Sequence, residues 1–450
     1  MSYLIKNATI VNEGTTQVAS LLIEGSEIAR IIPHGSPLPD ATHVIEAEGL
    51  YCLPGIIDDQ VHFRDPGLTH KGDLTTESES ALLGGVTSFM EMPNTIPQTT
   101  TIEAWEEKMS MASEKSRANY SFYFGATNDN VALLELLDLR YTPGVKVFMG
   151  SSTGNMLVDS EESLRAIFQN SPKIIAVHSE SEPIIQENIK RYKEQYGEDP
   201  DLKWHPYIRS REACYESSVR AVALAKETGA RLHILHISTK EELELLSPDS
   251  ETPLAEKQIT GEVCVHHLWF DDEDYDRLGT RIKWNPAIKQ KADKEALRKG
   301  VNNRVLDIVA TDHAPHLPTE KRGGALKAAS GGPLIQHSLL MMLEMARDGI
   351  FELATVVDLM CHRPAVLFGV ERRGFIREGY KADIVLVKPD TPWVVAKDNI
   401  QSKCGWSPLE GETLHHQVWY TFLNGAPVVS EGVLDPLLAK EKKEALTFSR

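Results

Sequence analysis

The stretch Leu53-Pro54-Gly55-Ile56-Ile57-Asp58-Asp59-Gln60-Val61-His62-Phe63-Arg64-Asp65-Pro66-Gly67 decides how this chain is read. Its apolar opening, Leu53 to Ile57, has the character of a buried strand, and Pro66-Gly67 closes it as a turn. Side chains alternate along an extended strand, so Asp58, Gln60, His62 and Arg64 are expected on one side. An acid, an amide, an imidazole and a guanidinium on one face serve a core poorly and a site well.

Beyond this segment, short apolar runs recur with helical patterns between them, as in βα units. Strands are expected at 55–62, 86–92, 120–126, 145–149, 174–178, 231–236, 262–267 and 307–312. Eight such units suit a closed (β/α)8 barrel. An open doubly wound sheet fits less well, because no Gly-rich dinucleotide turn follows any strand. The first residues behave differently: Tyr3 to Val11, Ser20 to Glu24 and Glu27 to Ile32 are short β pieces cut by Asn12-Glu13-Gly14 and Gly25-Ser26. The pattern returns in Ala382 to Val387 and Gln417 to Gly425, so the two ends are expected to pair into a small composite β-sandwich. That divides the chain into 1–54, a barrel at 55–370, and 371–450 as the second part of the sandwich with a C-terminal tail. The polar stretch 182–210 is the longest departure from the repeat and is expected to place a helix and a loop over the barrel mouth.

With 450 residues, 41% hydrophobic and 25% charged, the chain has the composition of an ordinary globular protein with room for a large core. A net charge of −18 argues against nucleic acid or an anionic membrane as the main partner. Cys52, Cys214, Cys264, Cys361 and Cys404 are odd in number and unpaired in spacing, which suggests a reducing cytoplasm rather than a disulfide framework. No leader-like opening and no membrane-length apolar run is present, so a cytoplasmic location is expected.

The expected strands end in chemistry. Strand one ends in Gln60, His62 and Arg64, and strand two in Met92-Pro93-Asn94. Strand four holds Lys146, strand five ends in His178, strand six in His236, strand seven in His266-His267 and strand eight in Asp312-His313. In a (β/α)8 barrel these ends converge on one face, where His62, His178, His236 and Asp312 form a ligand set suited to zinc. Any one of these histidines alone is more often a hydrogen-bonded core residue, and Asp312 alone a cap; four strand ends together favour the metal reading. His266 and His267 should face opposite ways on a strand and are expected to line the pocket. Lys146 lies inside an apolar run, where it either meets a buried carboxylate or loses its charge. A neutral amine there can add carbon dioxide and become a carbamate that bridges metal ions. Arg64 and Asn94 suit a small-molecule substrate with a carboxylate, although Arg64 could instead pair with Asp65 or Asp58. His316 and Asn285 are further candidates for substrate contact, Asn285 with a simple turn as its alternative.

These residues resemble the amidohydrolase superfamily and, within it, the dihydroorotases. The resemblance rests on Glu46 to Asp58, on His62-Phe63-Arg64-Asp65-Pro66-Gly67, on Glu91-Met92-Pro93-Asn94-Thr95 and on Ala310-Thr311-Asp312-His313-Ala314-Pro315-His316. Gly379 to Val387 is similar to the family's composite sandwich. The resemblance implies reversible hydrolysis of L-dihydroorotate to N-carbamoyl-L-aspartate in pyrimidine synthesis. It also implies zinc as cofactor held by His62, His178, His236 and Asp312, and a carbamate on Lys146. Asp312 would carry the proton, and Arg64, Asn94 and His316 would hold the substrate carboxylate. Gln60 departs from the family's His-x-His, which puts the metal position nearer strand one in doubt. Two other readings stand beside this one. The first is hydrolysis of another cyclic amide (allantoin, a hydantoin or a dihydropyrimidine). The second is a non-catalytic scaffold, for which a transcarbamoylase is the expected partner; a homodimer is compatible with each reading.

Overall fold

The computed structural model describes residues 2–150 and 156–449. Its barrel strands are Ile56–Val61, Val86–Glu91, Asn119–Phe122 continued by Phe124–Gly125, Val145–Phe148, Ile175–His178, Leu232–Ile234, Ile259–Cys264 and Ile308–Ala310. Every neighbouring pair is parallel, from Ile56 opposite Val86 to Cys264 opposite Ala310. The third strand breaks at Tyr123: its first half pairs with strand two and its second half with strand four. The ring closes where His62 N–H donates to His313 O at 2.7 Å and Val61 bridges to His313. Helices such as Leu74–Leu83, Ile102–Lys115, Glu161–Asn170, Arg211–Thr228 and Lys291–Asn302 alternate with the strands. Strands covered this way are buried on both faces, and those of Val86–Glu91 and Val145–Phe148 are buried throughout.

The ends of the chain meet in one nine-stranded sheet. Ser2–Asn12 pairs with Thr15–Glu24 and Tyr51–Pro54, and Tyr51–Pro54 pairs with Ile384–Lys388, which joins Gln417–Leu423. Ile5, Ile10, Leu21, Ile23, Cys52, Ile384 and Phe422 give this unit a core of its own. The final segment returns to the barrel, where Leu446 N–H donates to Tyr120 O at 2.9 Å. No helix among the described residues is long and apolar enough to cross a membrane.

Three local expectations need correction. Strand seven ends at Cys264, and Val265–Trp269 is a one-turn helix, so His266 and His267 are not strand neighbours facing opposite ways. Strands six and eight stop short of His236 and Asp312, which lie on the loops that follow. In strand one the register against strand two shifts between Asp58 and Val61. Strict alternation is lost there, and Asp59 turns toward His233, 3.5 Å away.

Candidate active site

A cavity of about 160 Å³ opens at the carboxyl ends of the strands. Gln60, His62, Arg64, Asn94, Lys146, His178, His236, Asn285, Asp312 and His316 all line it, with Phe148, Trp284, Ala314 and the 329–331 backbone as walls. Residues spread over more than half the chain thus reach one space because each follows a different strand. His266 and His267 do not line it; His266 lies behind Trp284, stacked on its ring at 4.4 Å. Gly331 forms part of the wall at φ +122°, and a Cβ there would meet Ala314 O at 2.6 Å.

The metal-type donors fall into two pairs. His178 Nδ1 and His236 Nε2 are 3.0 Å apart, and His62 Nε2 is 3.1 Å from Asp312 Oδ1. The other nitrogen of each leading imidazole is fixed from behind: His178 Nε2 by Glu180 Oε2 at 3.0 Å, His62 Nδ1 by Asn94 Oδ1 at 2.8 Å. Those bonds leave His178 Nδ1 and His62 Nε2 as the lone-pair atoms facing the cavity. Glu180 is in turn paired with Arg209 from the 182–210 excursion. Burial raises the Glu180 carboxyl, but Arg209 and His178 outweigh it and hold it well below the carboxylate range. Burial also pushes the imidazoles of His62, His178 and His236 down, which keeps them neutral as ligands must be.

Lys146 is almost wholly buried and, among the described residues, its side-chain nitrogen makes neither an ion pair nor a hydrogen bond; the Phe148 ring centroid is 4.6 Å from that nitrogen. The alternative of a buried salt bridge is therefore not realised. Burial lowers its pKa to about 7, against the pull of Glu262 and Asp312. Three imidazoles, a carboxylate and an amine converging here fit a borderline divalent ion of the zinc kind. Gln60 lies at the same cavity, its Oε1 3.5 Å from Cys264 Sγ.

Arg64, His236 and Asp312 have φ of +72°, +41° and +46°. Left-handed backbone at a non-glycine residue costs roughly 1 kcal/mol or more, and here it turns three side chains from strand ends into the cavity. Supports hold these turns. His236 N–H donates to Glu262 Oε1 at 3.0 Å, and Trp284 Nε1 donates to Asp312 O at 3.3 Å.

The Arg64 guanidinium has no carboxylate partner among the described residues. Asp65 is taken by Lys115 at 3.0 Å, and Asp58 accepts from Thr311 Oγ1 at 2.6 Å. Arg64 instead donates to Pro315 O and faces His316 Nε2, each at 3.1 Å. Asn285 Oδ1 is buried at the cavity without a hydrogen-bond partner among the described residues, which a simple turn does not require. Lys71, Glu180, Arg209, Glu262 and Lys321 support the site and were not legible in the sequence. Lys321 reaches Lys283 O, Ala329 O and Gly331 O at 2.6 to 3.2 Å and so ties two cavity walls together.

Comparison with known proteins agrees with this fold. The amidohydrolase family matches residues 51–425. A dihydroorotase of Methanosarcina mazei is 33% identical, covering 90% of this chain and 90% of its own. An allantoinase of Bacillus velezensis is 30% identical over 95% of this chain and 94% of its own. The solved L-hydantoinase (dihydropyrimidinase) of Arthrobacter aurescens superposes with a TM-score of 0.92 at 28% identity, covering 99% of both chains. Barrel and composite sheet are thus shared with a solved hydantoinase, and the chain belongs to the amidohydrolase family.

Proposed function

We propose that this chain is a dihydroorotase, catalysing the reversible hydrolysis of L-dihydroorotate to N-carbamoyl-L-aspartate. The observation that carries the choice among cyclic amides is Arg64, a buried cation at the cavity that, among the described residues, contacts no carboxylate. Its nearest acidic influence is the more distant Asp312, Glu91, Glu320 and Glu77. A desolvated charge is costly without a counter-ion, so the cavity is suited to a ligand that brings one. Burial brings the guanidinium down to about 10, which still leaves it charged at neutral pH. Ring amides without a carboxylate would leave this charge without a contacting counter-ion.

Arg64 and Asn94 bind and orient the carboxylate, which sets the ring carbonyl toward the donors of His178, His236 and Lys146. A divalent ion held by those donors and by His62 and Asp312 would supply Lewis acidity at that carbonyl. Lys146, as a neutral amine, is suited to carbamate formation. Asp312 accepts the proton of the attacking water and delivers it to the leaving ring nitrogen, serving as base and then as acid. Trp284 and residues 329–331 line the cavity where they would flank the ring.

Gln60 favours a second reading, a scaffold that binds without turnover, because an amide oxygen is a weak ligand where imidazole would be strong. One preparation decides between them: metal content, and hydrolysis of dihydroorotate, dihydrouracil, hydantoin and allantoin. Dihydroorotate should be preferred, with Arg64→Ala raising its KM about a hundredfold and Asp312→Ala abolishing turnover in a folded protein. A metal-free, inactive wild type would favour the scaffold; equal rates on dihydrouracil would remove the role given to Arg64.

A further inference from the structure

Both members of the His62–Asp312 donor pair hang on His313. Asp312 precedes it in the chain, and its carbonyl oxygen accepts from His62 N–H at 2.7 Å. The His313 ring is itself fixed from two sides. Nδ1 accepts from Leu334 N–H at 3.0 Å and from Ile335 N–H at 3.3 Å. Two donors at Nδ1 leave the ring proton on Nε2. That N–H donates to Glu77 Oε2 at 2.8 Å, across 236 residues of sequence, and both side chains are fully buried.

Glu77 is met by donors at each oxygen. Oε2 also accepts from Ser402 Oγ at 2.6 Å, and Oε1 accepts from Lys403 N–H and Thr76 Oγ1, each at 3.0 Å. Gly72 leaves room for this side chain, since a Cβ there would lie 3.2 Å from Glu77 Cγ. Among the described residues no lysine or arginine pairs with Glu77. A carboxylate withdrawn from water on these terms is held by its hydrogen bonds alone. An amide cannot take its place, because its NH2 would face one of the surrounding donors.

We propose that Glu77 is a positioning residue for the metal site: through the His313 ring it holds His62 and Asp312 together at the cavity. Neither Glu77 nor His313 lines the cavity, so the effect is transmitted by the 3.1 Å spacing of the donor pair. The metal position nearer strand one depends on it most, because Gln60 already gives that position an amide in place of an imidazole. The inference rests on the reading of the cavity as a metal site; which cyclic amide is hydrolysed does not enter.

Cobalt(II) loaded into the holoenzyme in place of its own metal tests this, since its visible bands report ligand geometry whether or not the protein turns over. Glu77→Gln conserves volume and leaves the cavity lining intact. It should shift the cobalt bands and weaken cobalt binding about tenfold. On whichever cyclic amide the wild type hydrolyses, kcat should fall about tenfold with KM within about twofold. Ser402→Ala removes one donor to Glu77 and should move bands and kcat the same way by less. Wild-type bands and kcat in Glu77→Gln, whatever its melting temperature, would mean a purely structural role and overturn the inference. Where Glu77→Gln fails to fold, the same result in Ser402→Ala overturns it. A wild type that binds no cobalt overturns the metal reading and this inference with it. Shifted bands beside a wild type that leaves dihydroorotate intact would keep the inference and remove the dihydroorotase assignment.

Discussion

At the scale of single residues, the site is defined as much by what stands behind the donors as by the donors. His178 can present Nδ1 to the cavity because Glu180 takes Nε2 at 3.0 Å, and Glu180 stays ionised because Arg209 pairs with it. Glu180→Gln should therefore weaken metal binding by about 10- to 100-fold with little change in fold, read from metal-to-protein ratio against a competing chelator. Unchanged metal affinity would show that the His178 ring is oriented by its packing alone. Arg64 illustrates the opposite case. Its importance lies in a partner it lacks, since Asp65 and Asp58, its neighbours in sequence, are committed to Lys115 and Thr311.

At the scale of elements, strand ends rather than strands carry the function. The loop after strand one is anchored by Glu91, whose Oε1 accepts from Phe63 N–H at 2.8 Å while Oε2 meets Lys108 at 3.0 Å. Both side chains of this pair are buried, at 1% and 0% exposure, and Lys108 also donates to Met92 O at 3.3 Å beside the turn that holds Asn94. Lys108→Met leaves Glu91 buried without its cation and should cost about 3 kcal/mol, seen as a lower urea midpoint at unchanged slope. A midpoint within experimental error of wild type would mean that Glu91 is held as a neutral acid. The one-turn helix Val265–Trp269 matters in another way. It moves His266 and His267 out of the cavity, so the pair that looks most like a ligand motif packs against Trp284 and Pro286 instead.

At the scale of the whole molecule, charge is buried between the strands beneath the site. His233 lies 3.3 Å from Glu262 and 3.5 Å from Asp59, all three fully buried. Burial opposes the imidazolium, but Asp59 and Glu262 outweigh it and raise His233 to about 9. Burial and Asp59 likewise push the Glu262 carboxyl up. A group with a raised folded pKa stabilises fully below its unfolded value and loses that contribution as pH rises through the folded one. Thermal stability should therefore fall between about pH 6.5 and about pH 9, the interval between an ordinary imidazole and His233. His233→Gln should flatten that slope; an equally steep fall in the variant would place its origin elsewhere.

Much of this was legible in one dimension. Barrel strands are buried on both faces, so they stand out as apolar runs, and eight of them with no Gly-rich dinucleotide turn favour the closed architecture over an open sheet. Ligand-type residues at the ends of those runs then identify the candidate site, because barrel closure brings all such ends to one face. The same logic failed at His266-His267, where a short helix replaced the strand end, and at Asp59, where a register shift reversed a side chain. Lys71, Glu180, Arg209 and Lys321 lie in polar segments whose partners are distant in sequence, such as Lys71 with His316. Residue type and spacing nominated the groups at the strand ends, since these follow from the run of apolar strands and chain topology. Only the tertiary structure decided which of them are paired, neutral or unsatisfied, because desolvation and hydrogen-bond partners are properties of neighbours that the chain supplies from far away.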